Sequence, residues 1–131
     1  MEDKRIIIYA DDEKYMREIY EEIHKRNFAG GYNLEFYESG KSVEERFEQL
    51  IANRNGCGVI ILDNSMKPGL SGGELIKKYS SKLNSPMILV SGDCISVGEE
   101  AIKNGAYAFV EKPFKLEYIC NTIKKALDSK K

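Results

Sequence analysis

Short, unbroken apolar runs recur along this chain: Ile6-Ile7-Ile8-Tyr9-Ala10, Val59-Ile60-Ile61-Leu62 and Met87-Ile88-Leu89-Val90. Runs this short, rich in β-branched residues and bounded by polar ones, read as strands buried on both faces, the condition of a parallel sheet. They predict strands at about residues 5–10, 57–62 and 87–90. Residues 33–37 alternate weakly, as a more exposed strand does, and the run Ala106 to Val110 predicts a fifth strand over 106–110.

Helical periodicity fills the gaps. Tyr15, Met16, Ile19, Tyr20 and Ile23 recur at three- and four-residue spacing and predict a helix from Lys14 to about Asn27, ended by Gly30-Gly31. Ser39 suits the N-cap of a helix carrying Val43, Phe47, Leu50 and Ile51. A third helix opens near Ser71 to Gly73 and packs through Leu75, Ile76 and Tyr79. A fourth spans Ile95 to Lys103, closed by Asn104-Gly105, and a fifth runs from about Lys115 to Asp128 with Leu116, Ile119, Ile123 and Leu127 on one face. Strands alternating with helices predict one α/β domain with a parallel sheet covered on both sides. Right-handed crossovers leave few topologies, and the flavodoxin-like doubly wound (βα)5 order 2-1-3-4-5 sets strands one and three side by side.

A chain of 131 residues suffices for one such core. Twenty basic residues nearly balance twenty-one acidic ones, so no net basicity points to direct nucleic-acid binding. Cys57, Cys94 and Cys120 lack CxxC spacing or a neighbouring histidine and read as reduced thiols of a cytosolic interior. Met1 leads through a charged stretch into the first strand, which predicts neither a signal peptide nor a membrane span and places the protein in the cytoplasm.

In this topology the polar residues at the strand ends share one rim, where open α/β sheets bind ligands. Asp11-Asp12 follows the first run, Asp63 the third, Ser91-Gly92 the fourth, and Lys112-Pro113-Phe114 lies just past the fifth. Gathered carboxylates raise one another's pKa values, and a hard cation resolves the repulsion. Mg²⁺ fits, because it takes oxygen ligands and binds through one or two carboxylates. Asp11, Asp12 and Asp63 offer carboxylates, and the backbone carbonyl of Ser65 could complete the set. Asp63 is then an oxygen nucleophile for phosphorus, with Lys112 and the Ser91 hydroxyl as partners for the phosphoryl oxygens.

Asp11-Asp12, Asp63, Ser91 and Lys112-Pro113-Phe114, in this order and at these strand ends, resemble the receiver domain of two-component response regulators over nearly the whole chain. The resemblance implies Mg²⁺-dependent phosphorylation of Asp63 by a histidine kinase or phosphotransfer protein, and a conformational switch toward a downstream effector rather than enzymatic turnover. It implies that Asp12, Asp63 and the Ser65 carbonyl touch the metal while Asp11 acts more through water. It gives Phe109 the place of an aromatic that turns inward when Ser91 grasps the phosphoryl group. Ser65 and Asp93 take positions that tune dephosphorylation, and Gly92 leaves room for a donor imidazole or an attacking water. An output surface of the fourth helix, fifth strand and fifth helix would include Ile95, Val97, Tyr107 and Tyr118. Cognate kinase, acyl-phosphate lifetime, phosphorylation-dependent dimerisation and the extent of the whole protein stay open.

Met66-Lys67-Pro68 departs from the family pattern, since proline usually follows the methionine directly; the loop is longer by Lys67. Blander readings stand beside the sharp ones. Asp11-Asp12 alone reads as a helix-capping pair, Phe109 alone as a core aromatic, and His24 as a solvated residue on the polar side of the first helix. Lys124-Lys125 and Lys130-Lys131 read as a solvated helix face and tail. Gly72-Gly73 lacks the pattern of a P-loop. Two rivals remain: a pseudo-receiver that uses the fold without phosphorylation, and a haloacid-dehalogenase-type phosphatase. The second needs an acid where Ser65 stands.

Overall fold

A computed structural model describes residues 5–129. The elements run in strict alternation: β1 (Ile6–Ala10), α1 (Lys14–Asn27), β2 (Asn33–Tyr37), α2 (Gly40–Ala52), β3 (Val59–Asp63), α3 (Gly72–Tyr79), β4 (Met87–Ser91), α4 (Ile95–Lys103), β5 (Ala108–Glu111) and α5 (Leu116–Asp128). All pairings are parallel, and the order is β2-β1-β3-β4-β5. This is the flavodoxin-like doubly wound sheet that the apolar runs predict. No helix among the described residues is long and apolar enough to cross a membrane.

The period-two alternation of the strands divides the core. Ile6, Ile8, Ala10, Ile60, Leu62, Met87 and Leu89 face α2, α3 and α4, meeting Val43, Phe47, Leu75, Ile76 and Tyr79. Ile7, Tyr9, Val59, Ile61, Ile88 and Val90 face α1 and α5, meeting Met16, Tyr20, Ile119 and Ile123. Every residue of β1, β3 and β4 is buried, and each large apolar side chain among them contributes about 1.5–3 kcal/mol relative to exposure.

Strand ends shift from the expected bounds. The predicted 57–62 is Val59–Asp63, because the Cys57 amide donates to Ser85 Oγ (3.0 Å) instead of entering the ladder. The predicted 106–110 is Ala108–Glu111, because the Ala106 amide turns back to the Ala101 carbonyl and closes α4 (2.9 Å), helped by Gly105 at φ 112°. At the other end the ladder runs on: Asp63 pairs with Val90, and Ser91 with Glu111. The predicted 87–90 therefore extends to Ser91, while 5–10 begins at Ile6.

Several side chains lie elsewhere than expected. Tyr15 is 68% exposed, because Met16, Tyr20 and Ile23 define the inward stripe of α1 and Tyr15 precedes it. Leu116 opens α5 ahead of its buried stripe and is also exposed. Cys57 and Cys120 are buried, but Cys94 is exposed at the N-cap of α4. Val97 packs inward against the α4-side core. The correction at His24 is larger. It is buried at 4% exposure, its Nε2 donates to the Tyr32 carbonyl (2.8 Å), and its Nδ1 faces the Tyr9 hydroxyl (3.1 Å). A carbonyl only accepts, so Nε2 carries a proton, and in the neutral imidazole Tyr9 then donates to Nδ1. Lys130-Lys131 lies outside the described residues.

Candidate functional site

The carboxyl ends of β1, β3, β4 and β5 bring the strand-end residues together. Asp11 is fully buried and held from several sides. Its Oδ1 accepts from the Glu13 amide (2.9 Å), its carbonyl from Arg17 (3.0 Å), and its own amide donates to the Tyr37 carbonyl (3.0 Å). Its Oδ2 accepts from the Lys112 ammonium (3.0 Å). The same ammonium donates to Asp63 Oδ1 (2.9 Å), so a residue past β5 ties β1 to β3. The Lys112 amide donates to the Ser91 carbonyl (2.9 Å), which carries the β4–β5 ladder up to the launch point of that side chain.

Carboxylate oxygens of Asp11, Asp12 and Asp63 lie within 4.8 Å of one another. Glu13, which sequence reasoning did not single out, adds a fourth carboxylate 3.6 Å from Lys112. Among the described residues one ammonium, that of Lys112, faces this cluster. Burial pushes the Asp63 carboxyl up to about 6; the Lys112 hydrogen bond opposes it, and the charge of Asp11 adds to it. Burial likewise raises the Asp11 carboxyl above the ordinary range, against hydrogen bonds from Glu13 and Lys112. For Lys112 burial acts to lower the pKa, but the bonds and charges of Asp63 and Asp11 outweigh it and hold the ammonium above the usual lysine value. Both carboxyls are raised despite their ion pairs, so desolvation and crowding exceed what a single lysine offsets. A further cation is the natural complement, and this all-oxygen donor set suits Mg²⁺.

Asp12, Asp63, Ser65, Ser91, Gly92, Asp93 and Lys112 line one open concavity of about 340 Å³. Gly92 sits at its rim, where an added Cβ would meet only Lys112 Cβ at 3.9 Å. Larger hollows of about 520 Å³ between α3 and α4 and about 620 Å³ beside β2 also carry charged and hydroxyl side chains, but the cluster of three carboxylates within 4.8 Å of one another, Asp11, Asp12 and Asp63, lies at the smaller concavity. Phe109 is not on the wall. It belongs to the α4-side core, where a Cβ on Gly98 would overlap its ring; only glycine lets α4 cross there. Tyr107, two residues earlier, is 41% exposed.

The loop after β3 is secured from two directions. Met66 is buried and its carbonyl accepts from the Gly40 amide (2.7 Å), while the Pro68 carbonyl accepts from the Lys41 amide (2.9 Å). The additional residue Lys67 thus lies on a segment bound to the first turn of α2. Asn64, also passed over in sequence reasoning, accepts from the Gly73 amide through Oδ1 (3.0 Å) and donates from Nδ2 to Asp93 Oδ2 (2.9 Å). An asparagine ahead of a Ser-Gly-Gly helix start was the available signal; its reach to Asp93 was not.

Comparison with known proteins agrees with this fold. A family model described as the response regulator receiver domain matches residues 7–124. The transcriptional regulatory protein FixJ of Rhizobium meliloti is 38% identical over 71 residues, 53% of this chain and 34% of that protein. The transcriptional regulatory protein YkoG of Bacillus subtilis is 30% identical over 129 residues, 97% of this chain and 52% of that protein. The C4-dicarboxylate transport regulator DctD of Pseudomonas aeruginosa is 33% identical over 73 residues, 54% of this chain and 16% of that protein. The chain thus spans about half or less of the curated relatives it matches. A CheY-like receiver domain structure from Methanospirillum hungatei has a TM-score of 0.79 at 20% identity, covering 96% of this chain and 95% of that one. A beryllofluoride-activated NtrC4 receiver domain dimer has a TM-score of 0.78 at 26% identity, covering 97% and 99%.

Proposed function

This chain belongs to the response regulator receiver domain family, and on that premise we propose that it accepts a phosphoryl group on Asp63 from a histidine kinase or phosphotransfer protein. A carboxylate oxygen of Asp63 attacks phosphorus, the bond to the donor imidazole nitrogen breaks, and the departing nitrogen keeps the electron pair. The observation that carries the reading is Lys112 Nζ at 2.9 Å from Asp63 Oδ1, with Asp12, Ser65 and Ser91 around the same concavity. Lys112 orients the nucleophile beforehand and is in place to neutralise a phosphoryl oxygen, and Ser91 offers a hydroxyl from β4. A Mg²⁺ ion held by Asp11, Asp12, Asp63 and the Ser65 carbonyl would supply further charge neutralisation for the transferring oxygens. The domain works in the cytoplasm and turns over no other substrate.

Phosphorylation adds roughly one to two units of negative charge, enough to bias two arrangements of Ser91, Phe109 and α4. Ile95, Tyr107 and Tyr118, at 64%, 41% and 56% exposure, support an output surface for an effector protein on α4, β5 and α5. Self-association upon activation fits the same surface, given that the NtrC4 receiver is described as an activated dimer. Intact mass spectrometry after acetyl phosphate and Mg²⁺ tests the reading. Wild type gains one phosphoryl unit and Asp63→Asn gains none. A gain surviving Asp63→Asn removes the site assignment, and an unmodified wild type favours the pseudo-receiver.

A further inference from the structure

The Ser91 hydroxyl, expected to serve a phosphoryl oxygen, is already engaged. It donates to Asp93 Oδ2 (2.9 Å), and the Asp93 amide donates back to Ser91 Oγ (3.0 Å). Both the proton and a lone pair of the hydroxyl are directed at residue 93.

Asp93 is held in turn. The same oxygen that takes the serine proton accepts from Asn64 Nδ2 (2.9 Å). Asn64 cannot readily swing away: its side-chain oxygen accepts from the Gly73 amide and its carbonyl from the Gly72 amide, both at 3.0 Å in the first turn of α3. A chain of hydrogen bonds therefore runs from the N-terminus of α3 through Asn64 and Asp93 to Ser91, bridging the segments after β3 and β4. A carboxylate with two donors on one oxygen is a charge-assisted acceptor, stronger than a neutral one. Consistent with this, the bonds from Asn64 and then Ser91 hold the Asp93 carboxyl below its ordinary range.

We propose that Asn64 is a positioning residue: by anchoring the Asp93 carboxylate it holds the Ser91 hydroxyl away from Asp63, so that phosphoryl capture by Ser91 requires Asp93 to let go. This rests on the phosphoacceptor reading above and adds to it a latch worked from α3. It differs from any effect of Asp93 on an attacking water, because it acts through the Ser91 hydroxyl. Breaking the latch frees that hydroxyl and favours the phosphoryl-bound arrangement.

Two measurements test it. The first needs no phosphoryl group: the Asp93 carboxyl is titrated by carbon NMR in metal-free protein. Its pKa should rise toward the ordinary aspartate value in Asn64→Ala and rise less in Ser91→Ala; no rise in Asn64→Ala overturns the latch, whatever becomes of the phosphoacceptor reading. The second is the affinity for beryllofluoride with Mg²⁺, a non-covalent phosphoryl mimic. Asn64→Ala and Asp93→Ala should bind it about three- to tenfold tighter, the size of one or two modest hydrogen bonds released. In a Ser91→Ala background that gain should vanish; a gain that persists there, or no gain at all, overturns the proposal. Asp93→Ala leaves the Gly73 cap intact, so agreement of both variants excludes a damaged α3 as the cause. Failure of wild type to bind the mimic would count against the phosphoacceptor reading, and the titration would still decide the latch.

Discussion

Lys112 Nζ lies 2.9 Å from Asp63 Oδ1, joining residues 49 positions apart at the carboxyl edge of the sheet. The same ammonium reaches Asp11 at 3.0 Å, which leaves the cluster short of positive charge. Substituting Lys112→Met should therefore destabilise the metal-free protein by on the order of 2–4 kcal/mol, since two carboxylates of low exposure lose their counter-charge. Mg²⁺ should recover more of this loss in the variant than it adds to wild type, because a ligand stabilises in proportion to its preference for the folded state. Thermal unfolding with and without Mg²⁺ reads both effects; equal stability of the two proteins in chelator would refute them.

Asp63 should make the metal-free fold less stable as pH rises. Its carboxyl is raised from 3.8 to about 6, so between these values the native state keeps a proton that the unfolded chain has lost. The native form then binds more protons, and the stabilisation present below about pH 4 is lost as pH climbs through 6, roughly 3 kcal/mol in all. Asp63→Asn removes this dependence. Chemical denaturation in chelator should give a stability gain for Asp63→Asn that is small near pH 4 and levels off above pH 6 to 7. A gain independent of pH would show that Asp63 is not the group responsible.

Gly98 and Phe109 should be coupled. A Cβ at residue 98 would overlap the Phe109 ring, so Gly98→Ala must displace the ring or α4 and should cost about 1–3 kcal/mol. Phe109→Leu, with a smaller side chain, should relieve most of that cost. A double-mutant cycle by urea unfolding measures the coupling, and strict additivity would mean the ring has room to move.

His24→Leu should destabilise by about 2–4 kcal/mol, because the Tyr32 carbonyl and the Tyr9 hydroxyl lose their partner within the packed α1 side of the sheet. A solvated histidine would shift stability by no more than about 0.5 kcal/mol. Urea unfolding of the variant separates the two readings.

The contrast at His24 explains how far the sequence could be read. Strands were legible because Ile6 to Ala10, Val59 to Leu62 and Met87 to Val90 are continuous apolar runs, and a parallel sheet covered on both sides demands such runs. Asp11, Asp12, Asp63, Ser91 and Lys112 were legible as candidates because the topology alone sends strand ends to one rim. His24 was not, because its burial depends on a hydroxyl in β1 and a carbonyl beyond α1 that no helical periodicity records. Asn64 escaped for the same reason, its partners being an amide in α3 and a carboxylate after β4. Strand limits moved by a residue or two where a neighbouring strand extended the ladder, as at Asp63, or a helix end took the amide, as at Ala106. Side chains that complete a hydrogen-bond circuit across elements leave no periodic trace.

The lengthened segment after Asp63 is stitched to α2 by the Gly40 and Lys41 amides. Those are among the amides that a helix start would otherwise offer to solvent or to an anion, and here they serve as a seam. A peptide grafted between Lys67 and Pro68 would have to unpick that seam before disturbing Asp63, so chain length can vary at this corner while the acid cluster stays sheltered from it.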